Sequence, residues 1–221
     1  MMRKTLGLYA LYLFFAVTVH GHGRNIYVSS NFFDNQDTTV SFNSIIDKMN
    51  VQLGQLLMTG NTDRDIVMLI IVNNLGAVDM EMLEMQKGKH NRLARNVRKM
   101  ITVRIHETLE LNNFLVKVNF PVNYDLIHKE TGVSRQIALL SQHKKTTFPS
   151  RSTTDEEFVL QMIDLDQQGL KMAKALSKYG TDKELVAFSK IIRKRLRAEM
   201  VELLGYYHRS GRPAVTRPEH F

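Results

Sequence analysis

The 221-residue chain contains no cysteine and only four prolines. The absence of cysteine excludes disulfides, zinc–thiolate sites, iron–sulfur clusters and thiolate catalysis. Scarcity of proline, which disrupts helix interiors, leaves room for long helices. The chain also has no Gly-x-Ser-x-Gly, no glycine-rich phosphate loop and no His-Glu-x-x-His. We therefore predict that the protein is not an enzyme.

Long runs of periodic apolar residues predict an all-α fold with a real hydrophobic core, since 43% of the residues are apolar. The apolar band at 65–85 is too long for a buried strand and continues at helical spacing. We expect its helix to begin at Thr62, with Asp65 completing a capping box, and to end at Gly88 in the left-handed conformation. A second helix follows over 91–113, and no large sheet is expected.

The same helical hairpin is written again 92 residues later. Ten ungapped identities carry this repeat, where composition alone would give roughly three. They pair Thr62 with Thr154, Asp63 with Asp155, Val67 with Val159, Ile71 with Ile163, Met80 with Met172, Gly88 with Gly180, Leu93 with Leu185, Glu107 with Glu199, Glu110 with Glu202 and Leu111 with Leu203. Because neither hairpin can bury its apolar face alone, the two should pack together as a four-helix core.

Each hairpin is preceded by a segment with the spacing of a leading helix. Residues 41–58 form an amphipathic pattern with Ser41 as the expected N-cap, and 134–143 form a shorter one before the second hairpin. We divide the chain into a signal peptide (1–21), an irregular arm (22–40), a first repeat unit (41–113), a linker with a short helix (114–153), a second repeat unit (154–209) and a polar tail (210–221).

The first 21 residues have the anatomy of a secretory signal peptide. Arg3 and Lys4 precede a 15-residue apolar segment at 5–19, which is shorter than the roughly 20 residues of a membrane span. We expect cleavage after Gly21 and export to the periplasm or the extracellular space. An uncleaved membrane anchor is the alternative.

The first hairpin resembles a mostly bacterial exported family, domain of unknown function 305, which is placed in the ferritin-like superfamily. The resemblance lies at Asp63, Ile70, Ile71 and the run Gly-Ala-Val-Asp-Met at 76–80. The second hairpin is similar to the same family at Phe158, Met162, Ile163, Gly169, Met172, Ala173, Gly180, Glu199 and Met200. The resemblance implies a ferritin-like bundle made of two tandem, diverged copies.

The family's signature carries two adjacent histidines, with methionines on the same helix face. This resemblance implies a soft-metal site, with copper as the expected metal. Here those histidines correspond to Asn73 and Asn74 in the first copy and to Leu165 and Asp166 in the second. A carboxamide is a weak metal ligand and leucine is none. We therefore predict that both metal motifs are lost and that the protein has no cofactor.

Copper held by thioethers is the alternative to a metal-free bundle. The best candidates are Met80 and Met172, because they retain the family positions. Methionines at helical spacing are more often core residues. Di-iron chemistry of the ferritin type is not expected, because the sequence contains no Glu-x-x-His. The acidic residues Glu81, Glu84, Glu107 and Glu110 are interpreted as solvated or ion-paired.

The second helix of each hairpin is basic. The charges are Arg92, Arg95, Arg98, Lys99 and Arg104 in the first, and Lys190, Arg193, Lys194, Arg195 and Arg197 in the second. We interpret both runs as solvated outer faces of bundle helices. Contact with anionic lipid or polyanions is the alternative, and nucleic-acid binding is not expected, since no aromatic platform accompanies the charges.

These observations favour an exported, non-enzymatic helical bundle that acts as a structural or interaction module on an unidentified protein partner, with homo-oligomerisation left open. A copper-handling protein is the first alternative, and a basic peripheral module on anionic surfaces is the second.

Overall fold

The computed structural model describes residues 14–17, 26–29, 40–56, 58–117, 139–140 and 152–209. The helices are α1 (Phe42–Gln55), α2 (Thr62–Lys87), α3 (Asn91–Lys117), α4 (Thr154–Tyr179) and α5 (Lys183–Arg209). Two short strands, β1 (Phe14–Val17) and β2 (Ile26–Ser29), pair antiparallel with Phe14 opposite Ser29. The described chain is therefore an all-α helical bundle, as predicted, beside one two-stranded sheet.

Helix α2 is the centre of the bundle. Every residue from Asp65 to Glu81 is buried, because α2 packs against α1, α3 and α4. It is long and apolar enough to cross a membrane, with a mean hydropathy of 1.7 over its best window, but 94% of that window is buried inside the fold. A helix that is apolar on all sides belongs in a core, and α2 lies in one.

The other helices are arranged in pairs around α2. Helices α4 and α5 pack closely as the second hairpin, and α4 also packs against α2. Helices α3 and α5 meet through long side chains, including Asn96 with Tyr206, Arg195 with Glu107 and Phe114 with Phe188. The order of these pairs makes α3 and α5 antiparallel.

Acidic side chains at the two ends of the bundle tie one hairpin to the other. Asp63, at the start of α2, accepts hydrogen bonds from the backbone N–H groups of Thr181 at 3.0 Å and Asp182 at 3.1 Å. Asp155, at the start of α4, accepts from the N–H groups of Lys89 at 3.1 Å and His90 at 2.9 Å. Each acid thus caps the second helix of the opposite hairpin, and the two contacts are related by the 92-residue offset.

The predicted N-terminal cap is correct for α1 and is displaced by one residue for α2. Ser41 caps α1 as expected. Helix α2 is capped by Asn61, which accepts from Arg64 N, so the prediction of Thr62 as the cap is wrong. Asp65 instead accepts from Thr59 N, Thr59 Oγ1 and Gly60 N, and so organises the loop before the helix.

The glycines that end the first helix of each hairpin do not adopt the left-handed conformation. Gly88 has φ −67° and ψ 151°, and Gly180 has φ −66° and ψ 144°. Close approach explains glycine here instead. A Cβ atom on Gly180 would lie 2.5 Å from the carbonyl oxygen of Leu176 and 2.8 Å from Asp63 Oδ1.

The bounds of the segments also shift. Helix α3 continues to Lys117, four residues into the expected linker. Helix α5 begins at Lys183, and Asp182 accepts a hydrogen bond from Leu185 N in its first turn. Strand β2 lies within the arm expected to be irregular, where β-branched and aromatic residues favour extended structure. Strand β1 lies within the predicted signal peptide. Of the short helix expected at 134–143, residues 139–140 are helical and the rest lies outside the described residues.

Candidate functional site

The six positions singled out by the family resemblance are all buried, on α2 and α4. They are Asn73, Asn74, Met80, Leu165, Asp166 and Met172. The leucine and the two methionines belong to the main apolar cluster. The two asparagines and the aspartate bring polar groups into that cluster, so the motif positions mark a polar centre inside an apolar core.

A close contact at mid-helix brings both sets of motif positions together. Gly169 on α4 lies against α2, since a Cβ atom on it would be 3.0 Å from Asn73 Nδ2. This contact and the Asp63 contact at the bundle end define one antiparallel register, in which Leu75 lies level with Gln167. These two residues are also partners under the 92-residue offset. Both motif pairs therefore flank the crossing and meet at the bundle centre.

Arg104 of α3 enters this centre and is fully buried. Its Nε donates to Glu81 Oε1 over 2.7 Å, and its Nη2 donates to Asp166 Oδ1 over 2.6 Å and to Glu199 Oε2 over 2.8 Å. Helices α2, α4 and α5 each contribute one of these carboxylates. The guanidinium thus joins four helices, and the assignment of Arg104 to a solvated basic face is wrong.

Arg195 of α5 extends the network to its other end. Its Nε and Nη2 form a bidentate pair with Glu107 at 2.8 Å and 2.7 Å, and its Nη1 donates to Glu199 Oε2 over 2.6 Å. Asn74 Nδ2 donates to Glu107 Oε2 over 3.1 Å. The prediction that Glu81 and Glu107 are ion-paired is confirmed, but both side chains are buried rather than solvated.

The acidic and amide residues of the network occupy equivalent positions in the two hairpins, but the two arginines do not. Asn74 and Asp166 are partners under the 92-residue offset, and so are Glu107 and Glu199. Arg104 has no such counterpart, because position 196 is leucine. Each hairpin therefore contributes one polar residue and one glutamate at equivalent positions, whereas the two arginines occupy positions that are not equivalent.

Burial and neighbouring charges shift the pKa values of the ionisable groups at this centre. It raises the pKa of Glu81 to about 8, against the opposing effect of Arg104, and it raises the pKa of Asp166 to about 6. Burial alone would lower the pKa of Arg104, but Glu199, Asp166 and Glu81 together raise it well above its usual value. The guanidinium therefore stays charged and opposes the effect of burial on the acids around it.

Several buried atoms of this centre have no hydrogen-bond partner among the described residues. They are Glu81 Oε2, Asp166 Oδ2, Arg104 Nη1 and both amide atoms of Asn73. An uncompensated buried polar group costs free energy, so the centre is a place where the fold carries an electrostatic cost.

The donor set at this centre does not fit a copper or zinc ion. A permanent guanidinium already lies within 2.8 Å of three carboxylates, and a metal cation placed among them would be repelled. Imidazole is absent from the motif positions, and His106 on α3 is exposed. Over the described residues, no three His, Asp or Glu side chains are arranged to hold a metal ion.

The two retained methionines lie at different levels of the bundle. In the antiparallel register, Met80 is level with Met162, which lies ten residues before Met172 on α4. At 1.5 Å per residue, this offset is about 15 Å along the helix axis. Both thioethers are fully buried in the apolar cluster.

A second acidic cluster lies at the bundle end, where α2 turns into α3. Glu84 shares a hydrogen bond with Asp155, and burial together with this acidic neighbour raises the pKa of Glu84 to about 9. Despite partial burial, hydrogen bonds from His90, Glu84 and Lys89 hold the pKa of Asp155 below its usual value. A protonated Glu84 thus donates to an ionised Asp155, which in turn caps α3.

A positional signal for Arg104 was present in the sequence. The inward apolar series of α3 runs through Leu93, Val97, Met100 and Leu111 at helical spacing, and position 104 falls in that series. The charge of Arg104 favoured the solvent-exposed face of α3, whereas its position in the apolar series favoured the core. Arg195 gave no comparable signal, because it lies at the border of the buried stripe of α5.

The fold and this centre define an all-α bundle of two hairpins around a buried ion-pair network. The model of one family, Domain of unknown function (DUF305), matches residues 63–207, from the first turn of α2 almost to the end of α5. The chain belongs to this family, as the motif residues predicted. No curated protein matches the chain, and no solved structure matches it.

Proposed function

We propose that this protein is an exported, non-enzymatic bundle module in which an arginine has replaced a metal ion at the centre of a ferritin-like arrangement. The observation that carries the proposal is the position of Arg104, whose guanidinium lies between Glu81, Asp166 and Glu199 at 2.6–2.8 Å. A fixed cation there neutralises the carboxylates that would otherwise attract a metal.

The two hairpins are, in this proposal, diverged copies of one ancestral unit. The exchange of caps supports it, since Asp63 binds the turn before α5 and Asp155 binds the turn before α3. The retained glutamates at positions 107 and 199 support it as well. Retention of the frame together with loss of the histidines favours a scaffold that kept its packing while its site changed.

Copper binding through Met80 and Met172 is the competing function. An axial offset of about 15 Å exceeds what two thioether side chains can span, so one ion cannot be held by both in this register. Export is argued from the sequence, through the basic start and the apolar segment at 5–19. The module then acts outside the cytosol through its surface.

The decisive experiment measures metal content and affinity of the mature protein. Elemental analysis after purification and competitive titration with Cu(I) and Cu(II) should give no binding above background. The variant Met80→Leu with Met172→Leu is compared with Met162→Leu and Met200→Leu, which also replace fully buried core methionines. Stoichiometric copper binding that is lost in the first variant and kept in the second would overturn the proposal.

A further inference from the structure

Helices α3 and α5 present most of the exposed charge of the described chain. Nine exposed cations lie on them, namely Arg92, Arg95, Arg98, Lys99, Lys117, Lys183, Lys190, Lys194 and Arg209. Two exposed acids, Glu184 and Glu202, accompany them. The remaining described residues expose four cations (Lys87, Lys89, Lys171, Lys178) and two acids (Asp47, Asp164). The excess of positive charge is therefore concentrated on one helix pair.

The same two helices expose large aliphatic side chains. Five of the seven exposed large apolar residues of the described chain lie on them, namely Val103, Leu109, Val116, Ile191 and Val201. Val116 is 79% exposed and Val201 is 67% exposed. Cations and aliphatic groups thus share the surface of this helix pair, a composition that suits the interfacial region of a bilayer.

These residues form one face. Helices α3 and α5 lie side by side along their length, with Asn96 against Tyr206 at one end and Phe114 against Phe188 at the other. Helix α3 packs onto α2, α5 packs onto α4, and α2 and α4 pack onto each other, so the exposed sides of α3 and α5 point away from the α2–α4 pair in the same direction. We call the exposed surface of α3 and α5 the basic face.

We propose that the basic face binds the surface of an anionic lipid bilayer. Charge complementarity selects a negatively charged partner, and each Lys or Arg near such a surface strengthens binding roughly five-fold. The exposed aliphatic groups on the same face select a bilayer over a soluble polyanion, because only a bilayer offers an apolar layer beneath its charges. The binding does not depend on the absence of a metal, and so it goes beyond the function proposed above.

The test is co-sedimentation of the protein with vesicles of phosphatidylcholine containing about 30% phosphatidylglycerol, against vesicles of phosphatidylcholine alone. We expect binding to the anionic vesicles only, falling as salt rises. The variant Lys190→Glu with Lys194→Glu should weaken it by roughly 25-fold or more. The matched control Lys171→Glu with Lys178→Glu makes the same change of net charge on α4 and should retain binding within about three-fold.

A second variant separates a bilayer from a soluble polyanion. Ile191→Ser with Val201→Ser removes two exposed aliphatic groups and should weaken vesicle binding several-fold while leaving the affinity for polyphosphate unchanged. Vesicle binding equal to that of the unmodified protein would overturn the proposal in favour of polyanion binding. Absence of binding to anionic vesicles at low salt, or an equal loss in the α4 control, would also overturn it.

Discussion

Arg104 donates to Asp166 over 2.6 Å at the centre of the bundle, and both side chains are completely buried. Asp166 occupies a position where the family resemblance implies a histidine. Arg104 belongs to a helix whose charges were predicted from the sequence to form a solvated face. The pair places a charged contact between α3 and α4 in the middle of the apolar core. Its energetic role follows from the cost of stranding a charge in the core.

Substitution of Arg104 by leucine, the residue at the equivalent position 196, should be strongly destabilising. It leaves the carboxylates of Glu81 and Asp166 buried without their cation, and breaking a buried pair costs about 3–5 kcal/mol. The free energy of unfolding is measured by denaturant titration. Arg98→Leu, on the exposed side of α3, is the control and should change stability by less than about 0.5 kcal/mol.

Removal of the stranded acids should then restore stability. Adding Glu81→Met and Asp166→Asn to Arg104→Leu takes away both uncompensated carboxylates, whereas Glu199 keeps its ion pair with Arg195, and uncharged replacements of buried ion networks are often tolerated. Recovery of at least about half of the lost free energy is expected. If the triple variant were less stable than Arg104→Leu alone, the account of this centre as an electrostatic cost would be wrong.

The exchanged caps predict additive losses at opposite ends of the bundle. Asp63→Ala removes the acceptor for Thr181 N and Asp182 N, and Asp155→Ala removes the acceptor for Lys89 N and His90 N. Each should cost about 1–2 kcal/mol, the range for a lost helix cap. Because the two sites share no partner, the double variant should equal the sum within about 0.5 kcal/mol. A loss of less than about 1 kcal/mol in either single variant would contradict the capping role.

Much of the fold was readable from the sequence, because long uninterrupted periodicity is the strongest signal a sequence carries. The uniform apolar band at 65–85 predicted a core helix, and α2 is buried on all sides. Exact caps were less readable. Asn61 and Thr62 are adjacent and both favour the N-cap, so pattern alone does not distinguish them.

The candidate site was readable only in part, for a different physical reason. The motif residues Asn74 and Asp166 could be placed from the family resemblance, but their partners depend on how two helices cross. A charge such as Arg104 is usually outside unless carboxylates meet it inside, and those come from three other helices. Tertiary geometry thus decided the position of a residue whose type pointed the other way.

The acid pair at the end of α2 predicts a pH dependence of stability. Glu84 has a pKa near 9 in the folded protein against about 4.5 when unfolded. Between these values the folded state holds a proton that the unfolded state has lost, so stability falls as pH rises, by at most about 1.4 kcal/mol per pH unit for this group. Glu84→Gln keeps a donor for Asp155 without the titration.

The measurement is the free energy of unfolding at several pH values between 6 and 9, for the unmodified protein and for Glu84→Gln. The unmodified protein should lose more stability than the variant over this interval, because Glu81, with its pKa near 8, and Asp79, with its pKa near 7, titrate in both proteins, whereas Glu84 titrates only in the unmodified one. Equal slopes for the two proteins would show that Glu84 is already ionised in the folded state.

The crossing of α2 and α4 predicts opposite effects for two glycine-to-alanine substitutions. Gly169 lies at the bundle centre, where an added Cβ would be 3.0 Å from Asn73 Nδ2 and 3.3 Å from Leu196 Cδ1, so Gly169→Ala should cost about 1–3 kcal/mol through overpacking. Gly54 lies in α1 with no atom within 4 Å of the added Cβ, so Gly54→Ala should stabilise by about 0.5–1 kcal/mol through helix propensity. Thermal and denaturant unfolding measure both. If Gly169→Ala were also stabilising, the two helices would lie farther apart than this register requires, and the polar centre between them would have to be rebuilt around a wider gap.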